Sequence, residues 1–182
     1  MSKHYRVALV GCGGMGRQHI KALHDVPDFS VVALCDVSEE SLALAGEMVE
    51  AAPYRDCTTM CDEIKPDVVV VATQTRGHLD PSVAALERGI SVLCEKPIAI
   101  DLNEADQMVA AAQQSGARLA INQQNHVNPG IRKAQDMVAA GDIGEVVLVR
   151  GRNKSGRKSG NELTEMGTHV TDMMLCFGGQ PE

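Results

Sequence analysis

Hydrophobic positions fall into short unbroken runs separated by stretches of helical spacing. Arg6–Val10, Val31–Cys35, Asp67–Ala72, Ser91–Cys94 and Arg118–Ile121 each read as a strand. Their apolar residues are continuous rather than alternating, as in a sheet covered on both faces. Between them lie Gly14–Ala22, a stretch capped by Ser38 and running to about Glu50, Pro81–Arg88 and Leu102–Gln114, all with helical periodicity. Strand and helix in alternation predict parallel βαβ units, hence an α/β fold with a doubly wound parallel sheet.

The pattern changes near residue 122. Asn122-Gln123-Gln124-Asn125-His126 is polar and leads to Pro129-Gly130. A helix over Ile131–Ala140, a strand over Gly144–Gly151 and a helix over Leu163–Phe177 follow, with a basic loop from Arg150 to Lys158. The expected division is therefore 1–122 and 123–182. The second part holds too few elements for a domain, and it stops at Gly178-Gly179-Gln180-Pro181-Glu182, where a turn should lead to more sheet. It is expected to be the start of an α/β domain, truncated here.

Composition narrows the class. The 182 residues are 44% hydrophobic and 23% charged, a soluble globular balance. A chain of this length buries roughly 70% of its unfolded surface, enough for a core. The net charge of −7 argues against nucleic acid as a partner. The longest uncharged apolar run, Val68–Ala72, is too short for a bilayer, and no secretory signal precedes Arg6, so no membrane partner is expected. Six cysteines at 12, 35, 57, 61, 94 and 176 form no Cys-x-x-Cys pair. Cys35 and Cys94 lie in apolar runs, which points to a reducing cytoplasm. Cys57 and Cys61 are spaced to share a helix face but have no neighbouring partners for a metal.

The first chemical signal is Gly11-Cys12-Gly13-Gly14-Met15-Gly16, a G-x-G-x-x-G turn. It follows a strand, opens a helix, and is followed 20 residues after Gly16 by Asp36 at the end of the next strand. Gly11 permits the tight turn, Gly13 lets the backbone approach a pyrophosphate, and Gly16 lets helix and strand pack closely. The phosphates would meet the unpaired N–H groups and positive end of the helix. Asp36 would accept from an adenosine ribose and repel a 2′-phosphate. Val37 adds no compensating base, so NAD is expected over NADP.

Two further sites each admit two readings. Glu95-Lys96-Pro97 ends a parallel strand, where open α/β sheets hold ligands. Lys96 is either one half of a surface pair with Glu95 or a donor to a substrate oxygen. At 100° per residue, Glu165, His169 and Asp172 share one face of the last helix, while Leu163, Met166, Val170, Met173, Met174 and Phe177 form another. That row is either a solvated polar face or a carboxylate–imidazole–carboxylate set for acid–base work, which ranks above a metal site. Arg150, Arg152, Lys154, Arg157 and Lys158 form either a solvated loop or an attractor for an anionic substrate. Without aromatic residues among them, stacking on nucleic acid is not expected.

Taken together, Gly11–Gly16 followed by Arg17-Gln18-His19, Asp36, Thr73 to His78 and above all Glu95-Lys96-Pro97 resemble the Gfo/Idh/MocA oxidoreductases, which include glucose–fructose oxidoreductase and inositol dehydrogenase. The resemblance implies an N-terminal Rossmann domain and a C-terminal α/β domain whose sheet walls the substrate site and mediates dimerisation, hence a homo-oligomer in full-length form. It implies an NAD-dependent dehydrogenase acting on a CH–OH group of a small polyol or sugar-like substrate. Lys96, His169 and Asp172 would be catalytic. Lys96, Glu165, His169 and Asp172 would contact substrate. Gly11, Cys12, Gly13, Gly14, Met15, Gly16, Asp36, Thr73, His78, Glu95 and Lys96 would contact the cofactor. Gln74 and Thr75 replace the usual proline and asparagine, and Asn125-His126 stands where arginine is usual at the second position. Some relatives bind the dinucleotide and regulate, so a non-catalytic binder or a fragment keeping only the cofactor site is the alternative.

Overall fold

In a computed structural model, residues 3–152 and 167–179 are described. The chain divides into two compact units, Met1–Asn122 and Gln123–Glu182.

The first unit contains six parallel strands: β1 (Tyr5–Val10), β2 (Phe29–Cys35), β3 (Ala52–Tyr54), β4 (Val68–Val71), β5 (Ser91–Cys94) and β6 (Leu119–Ile121). Their order is β3-β2-β1-β4-β5-β6, every pair parallel. This is the doubly wound Rossmann order, and the reversal between β1 and β4 opens a crevice at the strands' carboxyl ends. The joining helices are α1 (Gly14–His24), α2 (Glu39–Gly46), α3 (Cys57–Ile64), α4 (Leu79–Leu86) and α5 (Leu102–Ser115).

The continuous apolar runs explain the layering. In β1, Val7 and Leu9 pack with Ile20 of α1 and Ala45 of α2, while Ala8 and Val10 face Met60, Leu86 and Met108 beneath α3, α4 and α5. In β4, Val70 joins the first cluster and Val69 and Val71 the second. Each face of the sheet is thus hidden, so alternation would have left polar groups in a core.

Sequence reasoning missed β3 and α3. Ala52-Pro53-Tyr54 is three residues long and holds a proline, and Cys57–Ile64 is largely polar. One signal was available. Asp56 is an N-cap whose Oδ2 accepts from the Thr59 N–H at 2.6 Å and from its hydroxyl at 2.7 Å. The helix capped by Ser38 ends at Gly46 rather than near Glu50.

The second unit contains α6 (Pro129–Ala139) and α7 (Gly167–Gly178). Asn128 caps α6, its Oδ1 accepting from the N–H groups of Gly130 and Ile131. The strand expected over Gly144–Gly151 does not form. A strand exists through its ladder, and none of the described residues pairs with this segment. The expected start of the last helix, including Glu165, and the loop residues Lys154, Arg157 and Lys158 lie outside the described residues.

Candidate coenzyme cleft and active site

The glycine turn is built by close approach. Gly11 has φ +91°, and a Cβ there would lie 2.6 Å from the Ala72 carbonyl carbon and the Thr73 nitrogen. A Cβ on Gly16 would lie 1.9 Å from the Gly11 carbonyl oxygen. Gly13 and Gly14 differ, since a Cβ on either would meet nothing within 4 Å. The turn thus has two packed glycines and two that border open space.

That space is a cleft of about 860 Å³, lined by Gly13, Gly14, Met15, Asp36, Thr73 and Arg55, among others. Gly13 caps α1 with no side-chain hydrogen bond, and no acidic residue lies in the first turn. The helix's positive end is therefore unneutralised by its own side chains and faces the cleft. Asp36 secures the turn: its Oδ2 accepts from the Cys12 N–H at 2.7 Å and its Oδ1 from the Ser38 N–H at 2.8 Å. Arg17 donates to the Cys12 carbonyl at 2.9 Å. Burial, then the nearby Asp36 charge, pushes the Cys12 thiol up to about 12, so it stays protonated and inert. Thr73, whose backbone adjoins Gly11, also lines the cleft, with its hydroxyl oxygen buried without a hydrogen-bond partner.

These features fit a dinucleotide. A glycine cradle open to the cleft gives a ligand room to approach the backbone, and the uncapped N–H groups of α1 present donors to it at a topological switch point.

His78 does not line this cleft. It is 1% exposed, with Nδ1 2.9 Å from the Pro97 carbonyl oxygen and Nε2 3.2 Å from that of Thr73. A neutral ring has one N–H and can donate to only one of them. His78 therefore ties the segment after β4 to the segment after β5.

Glu95 and Lys96 follow β5 and also stand outside the cleft's lining. Glu95 is 7% exposed, and its Oε1 takes the Asn122 amide at 2.7 Å and the His19 Nε2 at 2.9 Å. The Lys96 N–H donates to its Oε2 at 3.3 Å. Burial alone would raise the Glu95 pKa, but the hydrogen bonds from His19 and Asn122 and the adjacent His19 together hold it below the ordinary range. Glu95 is thus a fixed carboxylate that orients the corner from which Lys96 extends. The Lys96–Pro97 peptide is cis and Lys96 is half-buried. Sequence reasoning missed His19 and Asn122 as partners, since each is far from Glu95 along the chain.

In the second unit, the imidazole set against Asp172 is that of His126, whose Nε2 lies 2.8 Å from Oδ1. The other oxygen of Asp172 is buried without a hydrogen bond. Cys176 lies 3.7 Å from His126 Nε2, so three donors, His126, Asp172 and Cys176, fall within 4.8 Å of one another. The His126–Asp172 hydrogen bond accounts for their closeness, and we assign no ion to them. His169 lies on α7 one turn before Asp172, half-buried. Lys96 belongs to the first unit, and His169 and Asp172 to the second.

A family model described as an oxidoreductase family with an NAD-binding Rossmann fold, GFO_IDH_MocA, matches residues 5–123. The chain belongs to the Gfo/Idh/MocA oxidoreductase family. Its first unit is accordingly an NAD-binding Rossmann domain. Relatives include D-apiose dehydrogenase of Paraburkholderia graminis, 33% identical over 78% of this chain and 38% of its own length. D-glucoside 3-dehydrogenase of Escherichia coli is 29% identical over 99% of this chain and 56% of its own. Among solved structures, scyllo-inositol dehydrogenase of Lactobacillus casei with bound NAD(H) and scyllo-inositol superposes with TM-score 0.89 at 21% identity. It covers 96% of this chain and 56% of that one, a likeness of fold. The chain thus spans about half the length of most Gfo/Idh/MocA relatives it matches, and less of the apiose enzyme. Among the described residues, no helix is long and apolar enough to cross a membrane.

Proposed function

We propose that this chain is the coenzyme-binding part, with the beginning of the second domain, of an NAD-dependent dehydrogenase. It moves hydride between the nicotinamide and a secondary alcohol carbon of a sugar, polyol or related hydroxy compound. The observation that carries this is the open Gly13–Gly14 cradle facing the cleft, with Asp36 fixed at its rim. The curated relatives' names, D-apiose dehydrogenase and D-glucoside 3-dehydrogenase, support the substrate class.

In this reading the diphosphate lies on the uncapped N–H groups of α1. Gly11 and Gly16 keep the turn closed beneath it, and Cys12 and Met15 contribute backbone. Thr73 lines the cleft beside Gly11. Asp36 favours NAD over NADP because its negative charge repels a 2′-phosphate. NAD, when bound, supplies the hydride acceptor. Lys96 orients and polarises the reacting oxygen, held in place through Glu95. His169 takes the hydroxyl proton, and Asp172 with Glu165 holds neighbouring hydroxyls. Residues 123–182 begin the substrate and dimerisation domain, so the complete protein is a homo-oligomer, and its free cysteines suit a reducing cytoplasm. His78 serves the cofactor site indirectly, by its two carbonyl contacts.

The test is calorimetric titration with NAD⁺, followed by absorbance of reduced nicotinamide against a panel of polyols and sugars. Lys96→Ala should lower kcat by about 10² to 10⁴ with NAD⁺ affinity nearly unchanged. Unchanged turnover in that variant would remove the mechanism. A second reading is a dinucleotide binder without turnover, since Lys96, His169 and Asp172 are not among the residues lining the coenzyme cleft. Saturable NAD⁺ binding with no reduction on any substrate selects it.

A further inference from the structure

Along the chain, the preference for NAD rests on Asp36, which repels a 2′-phosphate, and on Val37 after it, which carries no compensating charge. The sheet supplies a base from elsewhere. β3 pairs with β2 so that Tyr54 lies opposite Cys35. Arg55, one residue past Tyr54, therefore emerges beside Asp36, one residue past Cys35, and both line the same cleft.

The Arg55 guanidinium is already engaged. Its Nη2 pairs with a Glu39 carboxylate oxygen in the first turn of α2, and its Nη1 donates to the Val37 carbonyl at 3.4 Å. The carboxylate of Asp36 is spent on two backbone N–H groups, Cys12 and Ser38, rather than on Arg55. At the adenosine end of the cleft the charges are thus a fixed Asp36 anion and an Arg55 cation matched by Glu39. The Arg55 and Glu39 side chains are 55% and 86% exposed, so water competes for their contact and the pair exchanges readily. A planar guanidinium is the side chain best suited to a phosphate, which it can hold through two parallel N–H bonds.

We propose that Arg55 is a coenzyme-selecting residue held in check by Glu39: while the pair is made, a 2′-phosphate on the adenosine ribose is refused, and loss of the Glu39 charge frees Arg55 to receive one. This rests on the coenzyme reading of the cleft and deepens it. The selection depends on two residues from different βα units, not on the residue following the ribose acid alone.

The experiment is calorimetry on the whole chain with NAD⁺, and with NADP⁺ directly and in competition against NAD⁺. Four proteins are compared: the natural chain, Glu39→Gln, Arg55→Gln and the double variant, each first checked for an unchanged unfolding midpoint. Glu39→Gln should tighten NADP⁺ by about fivefold while NAD⁺ stays within about twofold, the upper worth of an exposed ion pair. In the Arg55→Gln background the same Glu39 change should alter NADP⁺ by less than about twofold. An equal gain in both backgrounds would mean simple removal of a negative charge and would overturn the proposal, as would no gain in Glu39→Gln. Absence of NAD⁺ binding by the natural chain would overturn the coenzyme reading itself, and the proposal with it.

Discussion

The close approach of α1 to the glycine turn can be broken with one methyl group. In Gly16→Ala the new Cβ would lie 1.9 Å from the Gly11 carbonyl oxygen, whereas real Cβ atoms stay beyond 3.0 Å. Helix and turn must separate by at least about 1 Å to restore van der Waals contact. Neither partner is a flexible side-chain end, because the obstacle is backbone. Two short hydrogen bonds hold that backbone, Gly11 N–H to the Cys35 carbonyl at 2.8 Å and Cys12 N–H to Asp36 at 2.7 Å. Overpacking of this kind costs about 1–3 kcal/mol, and each weakened hydrogen bond adds roughly 1 kcal/mol. A total of about 3 kcal/mol should lower Tm by about 6–12 °C for a chain of this size. The control is Gly14→Ala, two residues earlier. Its Cβ meets nothing within 4 Å, yet Gly14 borders the cleft. It should keep or slightly raise Tm while weakening NAD⁺ binding. Thermal unfolding and NAD⁺ titration on both variants separate packing from cradle. An unchanged midpoint for Gly16→Ala, or equal effects from the two substitutions, would refute the assignment of distinct roles to these glycines.

Other outcomes follow from the same geometry. Glu95→Ala removes the acceptor shared by His19 and Asn122 and should cost about 2 kcal/mol in urea unfolding, with Glu95→Gln costing less because an oxygen remains. Because folding lowers the Glu95 pKa, its contribution is complete above the ordinary carboxylate value of 4.5 and is lost as pH falls through the folded value. The natural chain should therefore lose more stability below about pH 4.5 than Glu95→Gln, and parallel pH curves would count against it. Burial raises the thiols of Cys12, Cys35 and Cys94 to about 12, so all three should resist alkylation in the native protein and react once urea unfolds it. Asp36→Ala leaves the Cys12 and Ser38 N–H groups without their acceptor and should weaken NAD⁺ binding by at least about tenfold, measured by calorimetry.

Much of this protein is set by local sequence. Unbroken apolar runs require a sheet covered on both faces, and a glycine turn between strand and helix, followed by an acid at the next strand's end, defines the cleft. Both signals survive without tertiary context because they depend on strand period, the absence of a Cβ and one offset of 20 residues spanning a single helix and strand. Tertiary structure decided the rest. The three residues of β3 become a strand because β2 offers a ladder, while Gly144–Gly151, with better strand composition, has no partner among the described residues and stays irregular. His78, a candidate cofactor ligand by position, is turned inward between two carbonyls. Asp172 meets His126 across 46 residues, Glu95 is fixed by groups 76 and 27 residues away, and Arg55 reaches the ribose end of the cleft through strand pairing. Such pairings arise when distant backbone segments are brought into register, and no spacing along the chain encodes the distance between side chains that register creates.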